Sequence, residues 1–330
     1  DIWANGSVTV YQNDSVLSAT NPACSGNANA GGTGSINAAG GSVSIQKGGA
    51  VDGSVWSGGS GGVSISSGTI GGNVTAGDPT PGCTDVAALG SSYGVSNGGT
   101  ISGSVTAWGS ISNGGSIIGQ QNAGACASAP VAMSMPPYQF NPADYPPGTV
   151  QQFSDPSQFN AYVAANGSSL QGVFYVTGGG ASDPITLSGV QIAGDTTIIA
   201  TQAPIDASQG IGAANNNPKT LVLASWYQTN PTNCATNGGN PGDCAIGMKN
   251  NFQPSDNTAT LIYAPNGPAA FKNNANFDGA VYAANIQVKN NMNVAYDSRV
   301  QRVIGFGNVT YQIIRWLECN PNNTATGASC

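Results

Sequence analysis

Four stretches in the first half of this chain spell one eight-residue pattern: GGAVDGSV at 48–55, SGTIGGNV at 67–74, GGTISGSV at 98–105 and GGSIIGQQ at 114–121. Each runs as a small turn, a β-branched residue, a spacer, Gly, another spacer and usually Val. The copies begin 19, 31 and 16 residues apart, and the longest interval carries an insertion at 76–92. A repeat this short has no core of its own. It buries apolar surface only by stacking on its neighbours, the behaviour of a solenoid. Alternation such as Val43, Ile45 and Val63, Ile65 puts branched side chains on one face of a short strand. There each stacks on its counterpart about 4.8 Å along the axis, and Gly takes the corners.

Composition agrees with stacking. Only 7% of residues are charged, against about 25% in an ordinary soluble protein. A charge at a repeated corner would face its own copy, at about 0.8 kcal/mol for 5 Å even in water, which neutral Ser, Thr and Asn avoid. Glu occurs once, at Glu318, and strong helix formers are scarce while Val, Ile, Thr and Gly recur. The chain is all-β by this reading.

The pattern returns 176 residues later, where Phe277-Asp278-Gly279-Ala280-Val281 matches Ile101-Ser102-Gly103-Ser104-Val105. NNANF at 273–277 recurs as NNMNV at 290–294, an offset of 17. A 17-residue winding would set Asn273 above Asn290, Asn274 above Asn291 and Asn276 above Asn293, an asparagine ladder that holds windings together. Between the halves, residues 129–149 hold six of the 19 prolines, which interrupt a strand ladder. FSDPSQFNAYVAANG at 153–167 then reads as a helix. Ser154 or Asp155 is its N-cap, Pro156 lies just inside, Phe159, Tyr162 and Val163 share one face, and Gly167 follows the end.

The expected fold is therefore a β-solenoid of the right-handed β-helix type with one short flanking helix. The expected organisation is a Gly-rich β-solenoid region at 1–128, a Pro-rich linker or wrapping segment at 129–152, and at 153–330 a helix plus a second β-solenoid region with a disulfide-stapled C-terminus.

Seven cysteines and no His point to disulfides rather than metal, and to an oxidising compartment. Cys234 with Cys244, and Cys319 with Cys330, bracket short polar segments as local staples; the pairing of Cys24, Cys83 and Cys126 stays open. No apolar run is long enough to cross a membrane, and a start at Asp1 without a signal sequence suggests a mature or trimmed extracellular portion.

Candidate chemistry is sparse. β-Helices that cleave polysaccharides need clustered acids. Asp183, Asp195 and Asp206 are spaced for adjoining windings, yet each sits in a turn-like context that suits a solvated residue. Without His, no Ser/His or Cys/His nucleophile arrangement exists, and neither a catalytic residue nor a cofactor is expected. KNN occurs three times, beginning at Lys249, Lys272 and Lys289, three of the five lysines. Stacked, they form a positive strip for an anion or a DNA backbone on a protein of net charge −7; the plainer reading is that corner lysines keep an edge soluble. Trp56 and Trp108 fit corner packing or sugar contact. Chance accounts for most of the six N-x-S/T sites, which begin at Asn5, Asn13, Asn73, Asn166, Asn308 and Asn322.

The stretch TLIYAPNGPAAFKNNANFDGAVYAANIQVKNNMNVAYDSRV resembles the β-helical region of PilX-type pilus-assembly proteins, a family that includes large minor pilins with a β-solenoid domain, one of them used in competence. The resemblance lies in Tyr263 to Gly267, Gly279 to Ala283 and Tyr296-Asp297. It implies a non-enzymatic, pilus-associated protein at the outer surface of the cell, with other pilin subunits, DNA or a surface glycan as partners. The hydrophobic helix that inserts a pilin into its filament is absent from this sequence. A carbohydrate-binding or carbohydrate-active β-helix is the alternative function, and a self-assembling filament a third.

Overall fold

Three-residue strands of alternating character make a parallel ladder when they are laid one on another. The computed structural model describes residues 2–4, 6–10, 14–16, 30–31, 33–77, 92–127, 140–208, 210–229, 242–250, 257–273, 275–289, 292–297 and 299–300, with Cys234, Phe252 and Pro254. Its named strands form one sheet system in which almost every pairing is parallel; Tyr296 opposite Gly31 and the Gly180–Asp183 bridge are antiparallel.

The pairings sort into three columns. The second runs from Ile185–Leu187 through Ile205–Ser208 and Ile246–Lys249 to the latter parts of Thr258–Lys272 and Ala275–Lys289. It continues through Val8–Val10, Val43–Ile45, Val63–Ile65 and Val95–Asn97 to Ile111–Asn113. The first column runs likewise from Val150–Phe153 to Gln121–Ala123, and the third from Ala275–Asp278 to Ser116–Ile117. The strand at Val150–Phe153 begins inside the stretch expected as a linker.

The repeat spacing of the sequence is the register of the ladder. Gly49 stands opposite Gly68, Thr69 opposite Thr100 and Thr100 opposite Ser116. Phe277 pairs with Val294, Val294 with Val16, Val16 with Val51, Val51 with Ile70 and Ile70 with Ile101. The two distant FDGAV-like stretches thus occupy equivalent positions, with Phe277 and Ile101 in the third column and Val281 and Val105 in the first.

That path passes through residues 2–16. Trp3 lies opposite Tyr282 on one side and Asn37 on the other, and Thr9 lies between Gln287 and Ser44. The amino-terminal strands join the two regions, so the order along the ladder is not the order along the chain.

Inward positions are branched and fully buried: Ile36, Val55, Val74 and Val105 in one row, Val8, Val43 and Val63 in another. Each such side chain removed from water contributes about 1.5–3 kcal/mol. The corners are tied by neutral side chains. Ser35 Oγ accepts the Ser54 amide at 3.0 Å, Ser54 Oγ the Asn73 amide at 3.1 Å, Asn73 Oδ1 the Ser104 amide at 2.8 Å and Ser104 Oγ the Gln120 amide at 3.1 Å. Each corner satisfies a backbone donor of the next winding that would otherwise go unpaired, a reason for Ser and Asn beyond their lack of charge. Where backbone crosses backbone only Gly fits: a Cβ on Gly115 would stand 2.1 Å from the Gly99 oxygen.

The helix Pro156–Asn166 closes one end of the ladder. Asp155 caps it by accepting from the Gln158 amide at 3.0 Å, and it buries Phe159 and Val163, with the Phe159 ring 5.5 Å from that of Phe174.

Candidate functional site: the lysine–asparagine corner

Three neighbouring strands of the second column place the lysines of the KNN triplets in one row. Lys249 pairs with Lys272 and Lys272 with Lys289, and Ser208 precedes them in the same row. Ladder neighbours stand about 4.8 Å apart. Asn250 and Asn273 turn the chain with φ of 50° and 60°, a left-handed conformation that Asn tolerates better than other non-Gly residues. The Asn250 amide donates to the Lys272 carbonyl at 3.0 Å, and Asn273 Nδ2 donates to Asn250 Oδ1 at 3.0 Å.

An asparagine contact therefore exists at this corner, and Asn273 makes it with Asn250. Asn276 does pair with Asn293 in register; Asn274, Asn290 and Asn291 lie outside the described residues.

The lysine row is not a uniform positive strip. Lys249 Nζ lies 3.6 Å from Asp206 Oδ2, with both side chains largely buried. Asp206 sits two positions from Lys249's ladder partner Ser208, so the pair is diagonal. Burial pushes the Asp206 carboxyl above its ordinary value, against the attraction of Lys249. Burial likewise pulls Lys249 down, Asp206 opposes that shift, and neighbouring Lys272 adds to it. Asp206 is 8% exposed, and among the described residues its Oδ1 has no hydrogen-bond partner. An ion pair in this state does not display charge outward, and half-buried Lys272 is left to meet an external anion.

The three acids weighed as a catalytic group have separate duties. Asp195 Oδ1 accepts from Thr220 N at 2.8 Å and Thr220 Oγ1 at 3.0 Å, Asp206 holds Lys249, and Asp183 belongs to the short bridge with Gly180. Among the described residues no cluster of three or more His, Cys, Asp or Glu is placed to hold a metal.

Cys234 and Cys244 form the local disulfide and pack on Ala270 beside this corner. Cys126 is disulfide-bonded as well; Cys24, Cys83, Cys319 and Cys330 lie outside the described residues. Trp56 is 37% exposed in a row between Asn37 and Thr75, and Trp108 is half-buried. The outward row of the second column carries Thr9, Ser44, Ser64, Ser96 and Ser112 in consecutive register. These hydroxyls come from strand centres of unlike repeats. Their one signal in the sequence is a recurrent Val or Ile followed by Ser or Thr.

Comparison with family models, with curated proteins and with solved structures finds no match for this chain.

Proposed function

We propose that this chain is a non-enzymatic extracellular display protein, the β-solenoid portion of a large minor pilin or pilus-tip protein of a type IV pilus, offering its faces for adhesion or DNA uptake. On this reading the three columns are the faces of a single β-solenoid. One observation carries the proposal. The residues that resemble PilX-type proteins include those that join the two regions in the first column: Tyr282 opposite Trp3 and Ala283 opposite Ala4. The motif behind the resemblance is thus the seam on which the long parallel ladder depends. Ladder-stiffened faces rich in hydroxyls and amides suit contact with another surface better than turnover, and the carboxylates of Asp195, Asp206 and Asp297 are engaged by structural partners.

The test is location. An epitope-tagged chain in its native host is expected in sheared pilus fractions and to disappear from them when the major pilin is deleted. Secretion into the medium irrespective of pili would overturn the reading. A carbohydrate-binding role is the second reading, favoured by Trp56 exposed between two polar row neighbours, Asn37 and Thr75; a glycan array response abolished by Trp56→Ala would support it.

A further inference from the structure

The two ends of the ladder are finished differently. Helix Pro156–Asn166 covers one. At the other, among the described residues, Ile111–Asn113, Ser116–Ile117 and Gln121–Ala123 pair on one side only, with Val95–Asn97, Thr100–Ile101 and Val105–Ala107. Their solvent exposure agrees: all of Gln121–Ala123 is exposed, and Ile118, at the corner before it, is 71% exposed. Edges of this kind present unpaired N–H and C=O groups that recruit a further strand. Proteins that stay monomeric blunt them with Lys, Pro or a covering element. Here there is no charged residue between Asp85 and Asp144 and no Pro between Pro81 and Pro130.

We propose that this open end is an interface between two copies of the chain, joined end to end across a two-fold axis. Charge argues for it, since a surface without ionisable groups attracts neither nucleic acid nor an acidic or basic peptide and is matched by another neutral surface. The chemistry of the last winding argues for it too. Asn113 holds the register position above Asn97 and Ile65, and Gln121 the position above Val105, so the core row ends in amides. Asn113 Oδ1 already accepts from Asn97 Nδ2 at 2.9 Å. Amides donate and accept alike, and so complement their own copies. A head-to-tail join would have to displace the helix, whose Asn160 side chain bonds Pro184 O and Thr186 N along the far edge of the second column, which favours the isologous arrangement.

The symmetry is specific. An axis through the middle of Ile111–Asn113 lays that strand antiparallel on its own copy. It passes out through the opposite corner, at 118–120, where Ile118 meets Ile118 of the second copy. Ser116–Ile117 then pairs with the copy of Gln121–Ala123.

Analytical ultracentrifugation of the full chain tests this. The wild type is expected to sediment as a dimer. Ile118→Lys and Ile118→Glu, substitutions at an exposed site that leave the circular dichroism spectrum unchanged, are each expected to sediment as monomers. A one-to-one mixture of the two variants is expected to restore the dimer. A monomeric wild type, a dimer that survives both variants, variants that stay monomeric on mixing, or growth beyond a dimer would each overturn the proposal.

Discussion

Asn97 donates its side-chain amide to Asn113 Oδ1 at 2.9 Å, inside a column whose earlier members are Ile45 and Ile65. Asn97 is buried, and it also donates to Gly99 O at 3.3 Å and Ser116 O at 3.2 Å while accepting from Gly99 N at 3.0 Å. A single amide thus ties the last two windings. Asn97→Val removes every one of these bonds, at a cost of about 2 kcal/mol. Hydrogen exchange is expected to quicken at 111–123 and to remain unchanged at 43–57, because each winding depends chiefly on its neighbours.

Gly279 lies at the seam with φ of 156°, and a Cβ there would stand 1.8 Å from the Thr260 oxygen. Gly124 also has a positive φ, 65°, but a Cβ there meets nothing within 4 Å. Gly279→Ala is expected to cost more than about 3 kcal/mol, while Gly124→Ala costs about 1 kcal/mol, the left-handed penalty alone. Urea denaturation of the two variants separates them.

The Asp206–Lys249 pair has a pH signature. Asp206 is raised by burial, so its charging costs stability as pH climbs from the usual 3.8 through the elevated folded value. Lys249 is lowered, so its charging costs stability as pH falls from 10.5 through the depressed folded value. Both charged forms are disfavoured near neutrality. The double variant Asp206→Asn/Lys249→Met is expected to be more stable than wild type by about 1 kcal/mol at pH 7, since neutral replacement of a buried pair is often stabilising. That advantage narrows as pH falls through the raised folded value of Asp206. Lys249→Met alone strands a buried carboxylate and is expected to cost about 3 kcal/mol at pH 7. Melts across pH 4–8 check both signs.

If the corner contacts DNA, the lysines do not contribute equally. Lys249 is engaged by Asp206, so Lys272→Ala is expected to weaken binding more than Lys249→Ala and to reduce the slope of log affinity against log salt by about one. Gel shifts at several salt concentrations measure this; absence of any shift by wild type at low salt removes the DNA contact.

The repetitive part of the architecture was legible because a stacked fold writes its register into the sequence. The spacings 19, 31 and 16 reappear as the separations along the corner ladder from Ser54 to Asn73, to Ser104, to Gln120. The offset of 17 likewise sets Phe277 opposite Val294. The helix was readable too, with Asp155 rather than Ser154 as the cap. What the residues did not disclose is the placement of 2–16. Nothing local in DIWANGSVTV marks Trp3 as a neighbour of Tyr282, 279 positions away; that pairing is set by the leftover edge each region presents to the other. The Asp206–Lys249 pair was hidden for a related reason: a diagonal contact appears only once the register of Ser208 on Lys249 is known. The lysine triplet was visible as a repeat, but its electrostatic state depends on burial.

The seam between Trp3 and Tyr282 has a consequence for biosynthesis. A ribosome delivers residues 2–16 well before the strands within 275–297 on which they rest. The early windings can zip together on themselves, but the base of that zipper must wait, unmated, for the last strands to arrive. Pairing of the early strands is thereby coupled to synthesis of residues 275–297, and a product that stops short of them would carry a raw edge for quality-control machinery to find.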